Sequence, residues 1–324
     1  MSEVKTLVYF DIEATGLKSS GRPRICEMSF VAVGIQDILQ LGLRLNENGK
    51  LSEESSLPRI VNKLTLCVYP MALIVPLVSD LTGLDNYNLS EQSKFSKTTG
   101  ALINNFLSAL PSPVCLVAHN GNAYDFPLLK AELGKCGVEL NSGTLCADSL
   151  LGIKEILKEK AKNFLTNNES EKTQDCNISV NHEIHVATEL MNAGMFETDL
   201  IEGQSEALVQ ESRSNVCQVE NEETPKKKQK TKVPCSKKEK HTFVSYPKVQ
   251  KSRKQLCFSD QRLPSSFKLV NLHNHLLGVP PAQSHGAEAD CLALLRSTAV
   301  LGIYWITWVK DNCSLFSDCK KMWG

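Results

Sequence analysis

Residues 6–17 read Thr-Leu-Val-Tyr-Phe-Asp-Ile-Glu-Ala-Thr-Gly-Leu, an apolar run that leads into two carboxylates and a glycine. The run Thr6–Phe10 has the composition of a β-strand. On a regular strand, side chains two positions apart point to the same face, so Asp11 and Glu13 can reach one cation together. Gly16 lets the backbone turn sharply just beyond them. For this motif alone, two solvated acids in a turn are an equally good interpretation.

The first 150 residues alternate between short apolar runs and segments with helical spacing. This alternation is typical of an α/β domain with a central sheet. The further predicted strands are 26–33, 63–69, 114–118 and 144–147. The predicted helices are 101–110, 128–136, 269–277 and 287–300.

The middle of the chain loses this pattern, because aromatic residues become few and periodicity becomes weak. Residues 166–223 hold thirteen acids against two bases, and residues 224–254 hold twelve bases against one acid. Blocks of this composition do not bury enough apolar surface to order themselves. The sequence therefore predicts one domain in two parts, 1–158 and 265–324, separated by a long, low-complexity disordered insertion at 159–264.

Composition restricts the cellular setting. None of the 12 cysteines forms a Cys-x-x-Cys pair, which predicts core thiols in a reducing compartment, the cytosol or the nucleus. The net charge of zero gives no whole-chain attraction to nucleic acid or to a membrane. The apolar run 299–309 is about half of the roughly twenty residues that a membrane span needs, so we expect a core helix or strand and no membrane anchor.

Asp125 stands in the second acidic motif, Ala-His-Asn-Gly-Asn-Ala-Tyr-Asp-Phe (118–126), just beyond the predicted strand 114–118. In open α/β sheets, ligands gather beyond the carboxyl ends of the strands. Asp125 is therefore expected in the same crevice as the first motif. The alternative is an aspartate that caps the helix that follows.

The third motif reads His-Gly-Ala-Glu-Ala-Asp at 285–290. Asp290 falls in the first turns of the predicted helix 287–300, while His285 precedes that helix on a turn after a Pro-Pro pair. A lone histidine near a loop is usually exposed polar surface. Imidazole is also the side chain best suited to take a proton from water near neutral pH.

Together these residues are hard to explain without a metal, because carboxylates packed against each other are costly unless a cation neutralises them. The four acids are Asp11, Glu13, Asp125 and Asp290. Their hard oxygen ligands suit a pair of Mg²⁺ ions, and His285 adds a base for a water. This combination is the equipment for cutting phosphodiester bonds.

The three motifs resemble those of the DEDDh exonuclease superfamily. More narrowly, the chain resembles the three-prime repair exonucleases. The stretches that support the narrower resemblance are Lys-Leu-Thr-Leu-Cys-Val-Tyr-Pro (63–70), Ser-Asp-Leu-Thr-Gly-Leu (79–84) and Ala-Asp-Cys-Leu-Ala-Leu-Leu (289–295). The resemblance covers about residues 5–158 and 265–310 and leaves out the insertion.

The resemblance implies a ribonuclease H-like fold with a central five-stranded mixed sheet flanked by helices. It implies 3′→5′ removal of nucleotides from single-stranded or frayed DNA ends, in DNA degradation or repair. It also implies a homodimer formed by edge-to-edge sheet contact. Two Mg²⁺ ions, replaceable by Mn²⁺, would be held by Asp11, Glu13, Asp125 and Asp290. His285 would act on the attacking water.

The same resemblance implies a set of substrate contacts. The implied substrate-binding residues are Glu13, Ala14, Leu17, Leu81, Tyr124 and His285. Leu17 and Tyr124 would stack on or wedge against the terminal bases, which needs no reading of base sequence. The backbone of Glu13 and Ala14 would meet the terminal 3′-hydroxyl.

Two features depart from the family pattern. Asn122 and Ala123 stand where relatives have an Asp-Arg pair, and the missing arginine removes a phosphate or carboxylate partner near the site. The insertion is far longer than an ordinary connection. A catalytically weak or inactive nucleic-acid-binding or scaffold module, and an RNA exonuclease of the same fold, are therefore kept as alternatives.

The basic block Pro-Lys-Lys-Lys-Gln-Lys-Thr-Lys at 225–232 resembles a nuclear import signal. A solvated charged linker and a flexible arm that grips the DNA backbone are alternative interpretations. We therefore expect the protein in the nucleus, the cytoplasm or both.

Overall fold

The computed structural model describes residues 3–17, 19, 21–48, 57–170 and 263–323. The strands of this part of the chain are β1 Thr6–Ala14, β2 Ile25–Gly34, β3 Asn62–Cys67, β4 Val114–Ala118, β5 Leu145–Asp148 and β6 Ser314–Leu315. The helices are α1 Ile35–Asn48, α2 Pro76–Thr82, α3 Lys97–Ser108, α4 Asp125–Lys135, α5 Ser149–Ser170, α6 Leu269–Leu277, α7 Ala287–Leu301 and α8 Ile303–Asn312. A short 3₁₀ helix, Phe316–Asp318, follows β6.

The strands form one mixed sheet in the order β3-β2-β1-β4-β5-β6. β2 is antiparallel to both of its neighbours, whereas β1, β4 and β5 run parallel to one another. The predicted α/β fold with a five-stranded mixed sheet is therefore confirmed, and the two-residue β6 extends the sheet at the β5 edge.

Helices cover both faces of the sheet. Leu7 and Tyr9 of β1 pack into one core with residues of α1, α5, α6, α7 and α8. Val8 and Phe10 point to the other face and pack with residues of α3 and α4. All four side chains are fully buried, which is why this strand reads as a continuous apolar run.

β1 is longer than the apolar run predicts. It spans nine residues rather than five, and it carries Asp11 and Glu13 within the strand. Pairing with β2 continues through Glu13 opposite Glu27, and only then does the register shift, at Ala14. Asp11 and Glu13 therefore lie near the end of the strand, as expected, because ladder pairing with β2 holds these polar residues in the extended conformation.

The late apolar run is divided between two helices. α7 and α8 meet at Gly302, whose φ of 56° and ψ of −128° favour glycine. No single helix among the described residues is long and apolar enough to cross a membrane, and α7 and α8 meet that test only as a pair bent by 106°. Trp305 of α8 is fully buried in the core, as expected for a core helix.

The predicted insertion at 159–264 lies mostly outside the described residues. Its first described residues, 159–170, continue α5, so the predicted boundary at 158 falls inside a helix. All of the described residues belong to one compact unit. The division into two exonuclease parts and a disordered insertion stays a prediction.

Candidate metal centre

Three of the predicted ligands converge. Asp11, Glu13 and Asp290 each offer a carboxylate oxygen, and these oxygens lie within 4.8 Å of one another. Asp11 and Glu13 come from the same face of β1, while Asp290 comes from the first turn of α7. The three side chains are half-buried, so the cluster is reachable from solvent. Two elements separated by more than 270 residues of chain thus present acids to one point.

Asp125 stands beside this cluster rather than inside the 4.8 Å group. It is the first residue of α4, and Tyr124 is the cap position, so the interpretation of Asp125 as the helix cap is wrong. The backbone N–H of Ile12 is among the groups that lower the pKa of the Asp125 carboxyl, so the start of α4 lies beside β1. Among the neighbouring charges, that of Asp125 does most to raise the pKa of Asp11.

The carboxylates strongly oppose each other's ionisation. Burial, followed by the charges of Asp125 and Asp290, holds the pKa of Asp11 well above its ordinary value. Burial and Asp290 raise the pKa of Glu13 to about 7. Burial raises the pKa of Asp125 to about 8, and the backbone N–H groups of Asp125 itself and of Ile12 offset part of that rise. Acids in this state are stabilised by a nearby cation.

The donor set fits a hard divalent cation. Carboxylate oxygens are the ligands that Mg²⁺ and Mn²⁺ take, and no thiol or imidazole belongs to the three-residue group. Cys291, the neighbour of Asp290 in the sequence, is fully buried, and its thiol donates to the Ser29 carbonyl at 3.5 Å. The geometry therefore supports a metal centre of the oxygen-ligand class.

His285 lies on the turn before α7, as expected. Its backbone N–H donates to Asp290 Oδ2 at 3.2 Å, so the turn is tied to the acid cluster. The residue is exposed, and its imidazole makes no hydrogen bond within the described part of the chain. Its φ of 64° is unusual for a residue other than glycine, a strain that concentrates at functional sites.

Two glutamates that the sequence analysis missed hold α7 against the sheet. Glu27 Oε2 of β2 accepts the backbone N–H of Ala287 at 2.9 Å, at the first residue of α7. Glu288 accepts from Lys63 Nζ at 2.7 Å and from Thr65 Oγ1 at 3.1 Å, both on β3. Glu288 lies within the third motif, and that location is the only feature of the sequence that could have indicated its role.

Asp148 holds the backbone of the second motif and lies outside the group of three converging carboxylates. Its carboxylate accepts the backbone N–H groups of Asn120 and Asn122, each at 3.1 Å. It also accepts the Leu150 N–H at 3.0 Å and so caps the helix after β5. The loop that leads to Asp125 is thereby held from the neighbouring strand.

One of the predicted substrate residues, Tyr124, is joined to the turn after β1. The Tyr124 hydroxyl donates to the Gly16 carbonyl at 2.6 Å, so the second motif is joined to the first. Leu17 is 67% exposed and Leu81 is 49% exposed, and both present apolar surface to solvent. The segment before α2 is joined to the same turn, because the Val75 N–H donates to the Thr15 carbonyl at 3.2 Å.

Comparison with known proteins bears on the identity of this site. No family model matches the chain. Human three prime repair exonuclease 2 is 40% identical over 150 residues, which cover 45% of this chain and 60% of that protein. Bovine three-prime repair exonuclease 1 is 38% identical over 156 residues, which cover 47% of this chain and 48% of that protein. The resemblance to three-prime repair exonucleases is confirmed, and the chain spans about half the length of the curated relatives it matches.

Solved structures of exonuclease I are also similar to this chain. An E. coli exonuclease I–ssDNA complex has a TM-score of 0.35 and 12% identity, over 48% of this chain and 31% of that one. Exonuclease I from Methylocaldum szegediense has a TM-score of 0.33 and 19% identity, over 48% of this chain and 30% of that one.

Proposed function

We propose that this chain is a metal-dependent 3′→5′ exodeoxyribonuclease that removes nucleotides from the 3′ ends of single-stranded or frayed DNA. The observation that carries the proposal is the convergence of Asp11, Glu13 and Asp290 within 4.8 Å. The sequence identity of 38–40% to proteins named three-prime repair exonucleases supports the reaction and the substrate class.

The metal ligands are proposed to be Asp11, Glu13, Asp125 and Asp290, which would hold two Mg²⁺ ions, with Mn²⁺ as a substitute. Such ions supply stabilisation of the charge on the entering and leaving oxygens of an in-line displacement. Two ions require more oxygen ligands than three carboxylates alone, and Asp125 beside Asp11 supplies the additional group.

His285 is the proposed general base. A ring nitrogen of its imidazole would take the proton from the attacking water and so raise the nucleophilicity of the water oxygen. Its exposed position on the turn before α7, with its backbone tied to Asp290, keeps it beside the acids and open to solvent.

The 3′ end of the strand is proposed to enter over the turn after β1. The exposed side chains of Leu17 and Leu81 offer apolar faces to the terminal bases, and Tyr124 is held close by its bond to Gly16. The backbone of Glu13 and Ala14 would meet the 3′-hydroxyl, and His285 would contact the scissile phosphate.

A nuclease assay with matched variants tests this function. Purified chain with Mg²⁺ should shorten a 3′-ended DNA oligonucleotide one nucleotide at a time, and Asp11→Asn should abolish that activity. Glu139→Gln is the control, because Glu139 is exposed and lies outside the acid cluster. Activity that survives Asp11→Asn would contradict the proposal.

The same preparation separates the alternatives. A binding or scaffold module, which Ala123 and the insertion favour, would bind DNA and leave its length unchanged. It would also gain no thermal stability from Mn²⁺, because only a ligand of the folded state raises stability. Matched DNA and RNA oligonucleotides distinguish the exodeoxyribonuclease from an RNA exonuclease of the same fold.

Assembly and location follow as further proposals. β3 is the open edge of the sheet in the described residues, and its side chains are largely exposed, which supports a homodimer through that edge. Light scattering of the purified chain tests this assembly. The import signal proposed at 225–232 lies outside the described residues, and imaging of a variant with these lysines replaced tests a nuclear location.

A further inference from the structure

A cavity of about 500 Å³ opens between the last turns of α4, the residues before β2 and the C-terminal segment. Four cations line it, Arg22, Arg24, Lys135 and Lys321, together with the indole of Trp323. The remaining lining residues are alanines and a glycine, and no acid lines the cavity. Its volume falls in the range of about 300 to 1,000 Å³ that is typical of small-molecule sites.

One of these cations is held rigidly by an acid beneath the cavity. Arg24 Nη2 donates to Glu132 Oε2 at 2.9 Å, and Arg24 Nε donates to the second carboxylate oxygen. Glu132 is 1% exposed, so this fork-like pair is largely shielded from water. Arg22, Lys135 and Lys321 make no ion pair within the described part of the chain. The cavity therefore carries an excess of positive charge.

The C-terminal segment is hydrogen-bonded to α4, and this contact places the ammonium group of Lys321 beside the helix. The Met322 N–H donates to the Pro127 carbonyl at 2.9 Å. Lys321 lies over Gly134, because a Cβ at that glycine would stand 2.8 Å from Lys321 Nζ. The missing side chain at Gly134 thus makes room for the ammonium group, and Trp323 follows two residues later.

The cavity is also connected to the acid cluster. The Thr15 N–H donates to the Arg24 carbonyl at 2.9 Å, and the Arg24 N–H donates to Thr15 Oγ1 at 3.1 Å. α4 begins at Asp125 and ends at Lys135, which is about 15 Å at a rise of about 1.5 Å per residue. That distance matches roughly four nucleotides of a stacked strand at about 3.4 Å each.

We propose that this cavity is a second nucleic-acid subsite, which holds backbone phosphates and one base of the strand about four nucleotides from its 3′ end. The inference rests on the proposed function, since that function places the 3′ end at the acids. The cations neutralise the phosphates, and the face of the Trp323 indole accepts the base by stacking. The subsite selects for strand length and leaves base sequence unread.

A length series with the wild-type chain is the first test. KM for single-stranded DNA from two to about twelve nucleotides should fall steeply once the strand passes about five nucleotides, and then level off. Equal KM values for a trinucleotide and a twelve-mer would overturn the subsite and leave the proposed function intact. Failure to hydrolyse any length would instead count against the proposed function.

Charge reversal is the second test. The double variant Arg22→Glu, Lys321→Glu should lose the affinity advantage of the twelve-mer over the trinucleotide, measured by fluorescence anisotropy with EDTA so that the strand is not cut. The slope of log affinity against log salt should fall by about 1.4, because two phosphate contacts contribute about 0.7 each in a single strand. An unchanged slope would overturn the subsite.

Two further variants keep this result interpretable. Lys158→Glu is the matched control, because Lys158 is an exposed lysine on α5, which packs on the opposite face of the sheet. It should keep the length advantage. Gly134→Ala should displace the Lys321 ammonium while it favours the helix, since alanine is the better helix former. A length advantage that persists in Gly134→Ala and in the double variant would exclude Lys321 from the subsite.

Discussion

The three converging acids of the candidate metal centre come from two regions that are held in different ways. Asp11 and Glu13 sit in β1, which is hydrogen-bonded to β2 on one side and to β4 on the other. Asp290 sits in the first turn of α7, whose N-terminus is attached to the sheet by the side chains of Glu27 and Glu288. The strand side is held by backbone bonds, and the helix side by side-chain contacts.

This difference matters for the robustness of the site. Backbone pairing does not depend on any one side chain, so the positions of Asp11 and Glu13 tolerate substitutions around them. Apolar packing holds the body of α7 on the sheet, while its first turn is also attached by two carboxylates, so a substitution at Glu27 can move Asp290 and His285 together. The helix side is therefore expected to be the more sensitive half.

The largest effect is expected from His285 on the helix side. His285→Ala should lower kcat by about 10²- to 10⁴-fold, the usual contribution of a positioned base. The thermal stabilisation by Mn²⁺ should change little, because His285 is not a proposed metal ligand. A stopped assay on a 3′-ended oligonucleotide measures kcat. A decrease in kcat of less than threefold would remove His285 from the reaction.

A smaller effect is expected from Glu27, which positions α7 without touching substrate. Glu27→Ala removes the acceptor for the Ala287 N–H and should lower kcat by about 10- to 100-fold, as for other residues that orient metal ligands. Glu27→Gln keeps an oxygen acceptor and should recover most of the activity. Equal loss in both variants would show that the charge of Glu27, and not its hydrogen bond, is what matters.

On the strand side, Asp11 and Glu13 should make the stability of the metal-free protein depend on pH. The folded-state pKa of Glu13 is about 7, above its ordinary value, and the pKa of Asp11 is raised as well. Because these pKa values are higher in the folded chain than in the unfolded chain, the acids contribute their full share to the free energy of unfolding only below their pKa in the unfolded chain. That contribution is lost as the pH rises through about 7. The melting temperature in EDTA should therefore fall between pH 5 and pH 8.

Asp11→Asn sharpens this measurement. The amide removes one charge from the cluster, so the decrease in melting temperature with pH should become shallower, and Mn²⁺ should no longer restore stability at pH 8. The partial solvent contact of Glu13 reduces its share of the effect. If the melting temperatures of the wild-type chain and of Asp11→Asn changed with pH in the same way, repulsion between the clustered carboxylates would be contradicted.

The smallest effect is expected from Glu288. Its pair with Lys63 is close to the surface, and such pairs contribute about 0 to 1 kcal/mol. Glu288→Ala should therefore lower the free energy of unfolding by less than about 1 kcal/mol, while Glu27 continues to hold α7. Urea denaturation measures it. If Glu288→Ala and Glu27→Ala lowered the free energy of unfolding equally, the contact with β3 would contribute as much as the contact with β2 to holding α7 on the sheet.

Local pattern was enough to predict much of the fold. The apolar runs at β1, β2, β4 and β5 and the helical spacing of α3, α4, α6 and α7 are properties of neighbouring residues, and each of these elements is present. The extension of β1 through its acids, and the strand β6, depend on pairing with distant strands. Ladder hydrogen bonds between remote segments leave no mark on local periodicity.

The amino-acid sequence by itself determined the chemistry available to this protein: which acids and which imidazole exist, and that they stand where strands and helices begin or end. Only the tertiary structure decided that Asp290 meets Asp11, that Glu27 holds α7, and that Arg22 and Lys321 share one cavity. The physical reason is that such meetings arise from packing between elements far apart in the chain, whereas spacing along the chain reports only on the element that contains it.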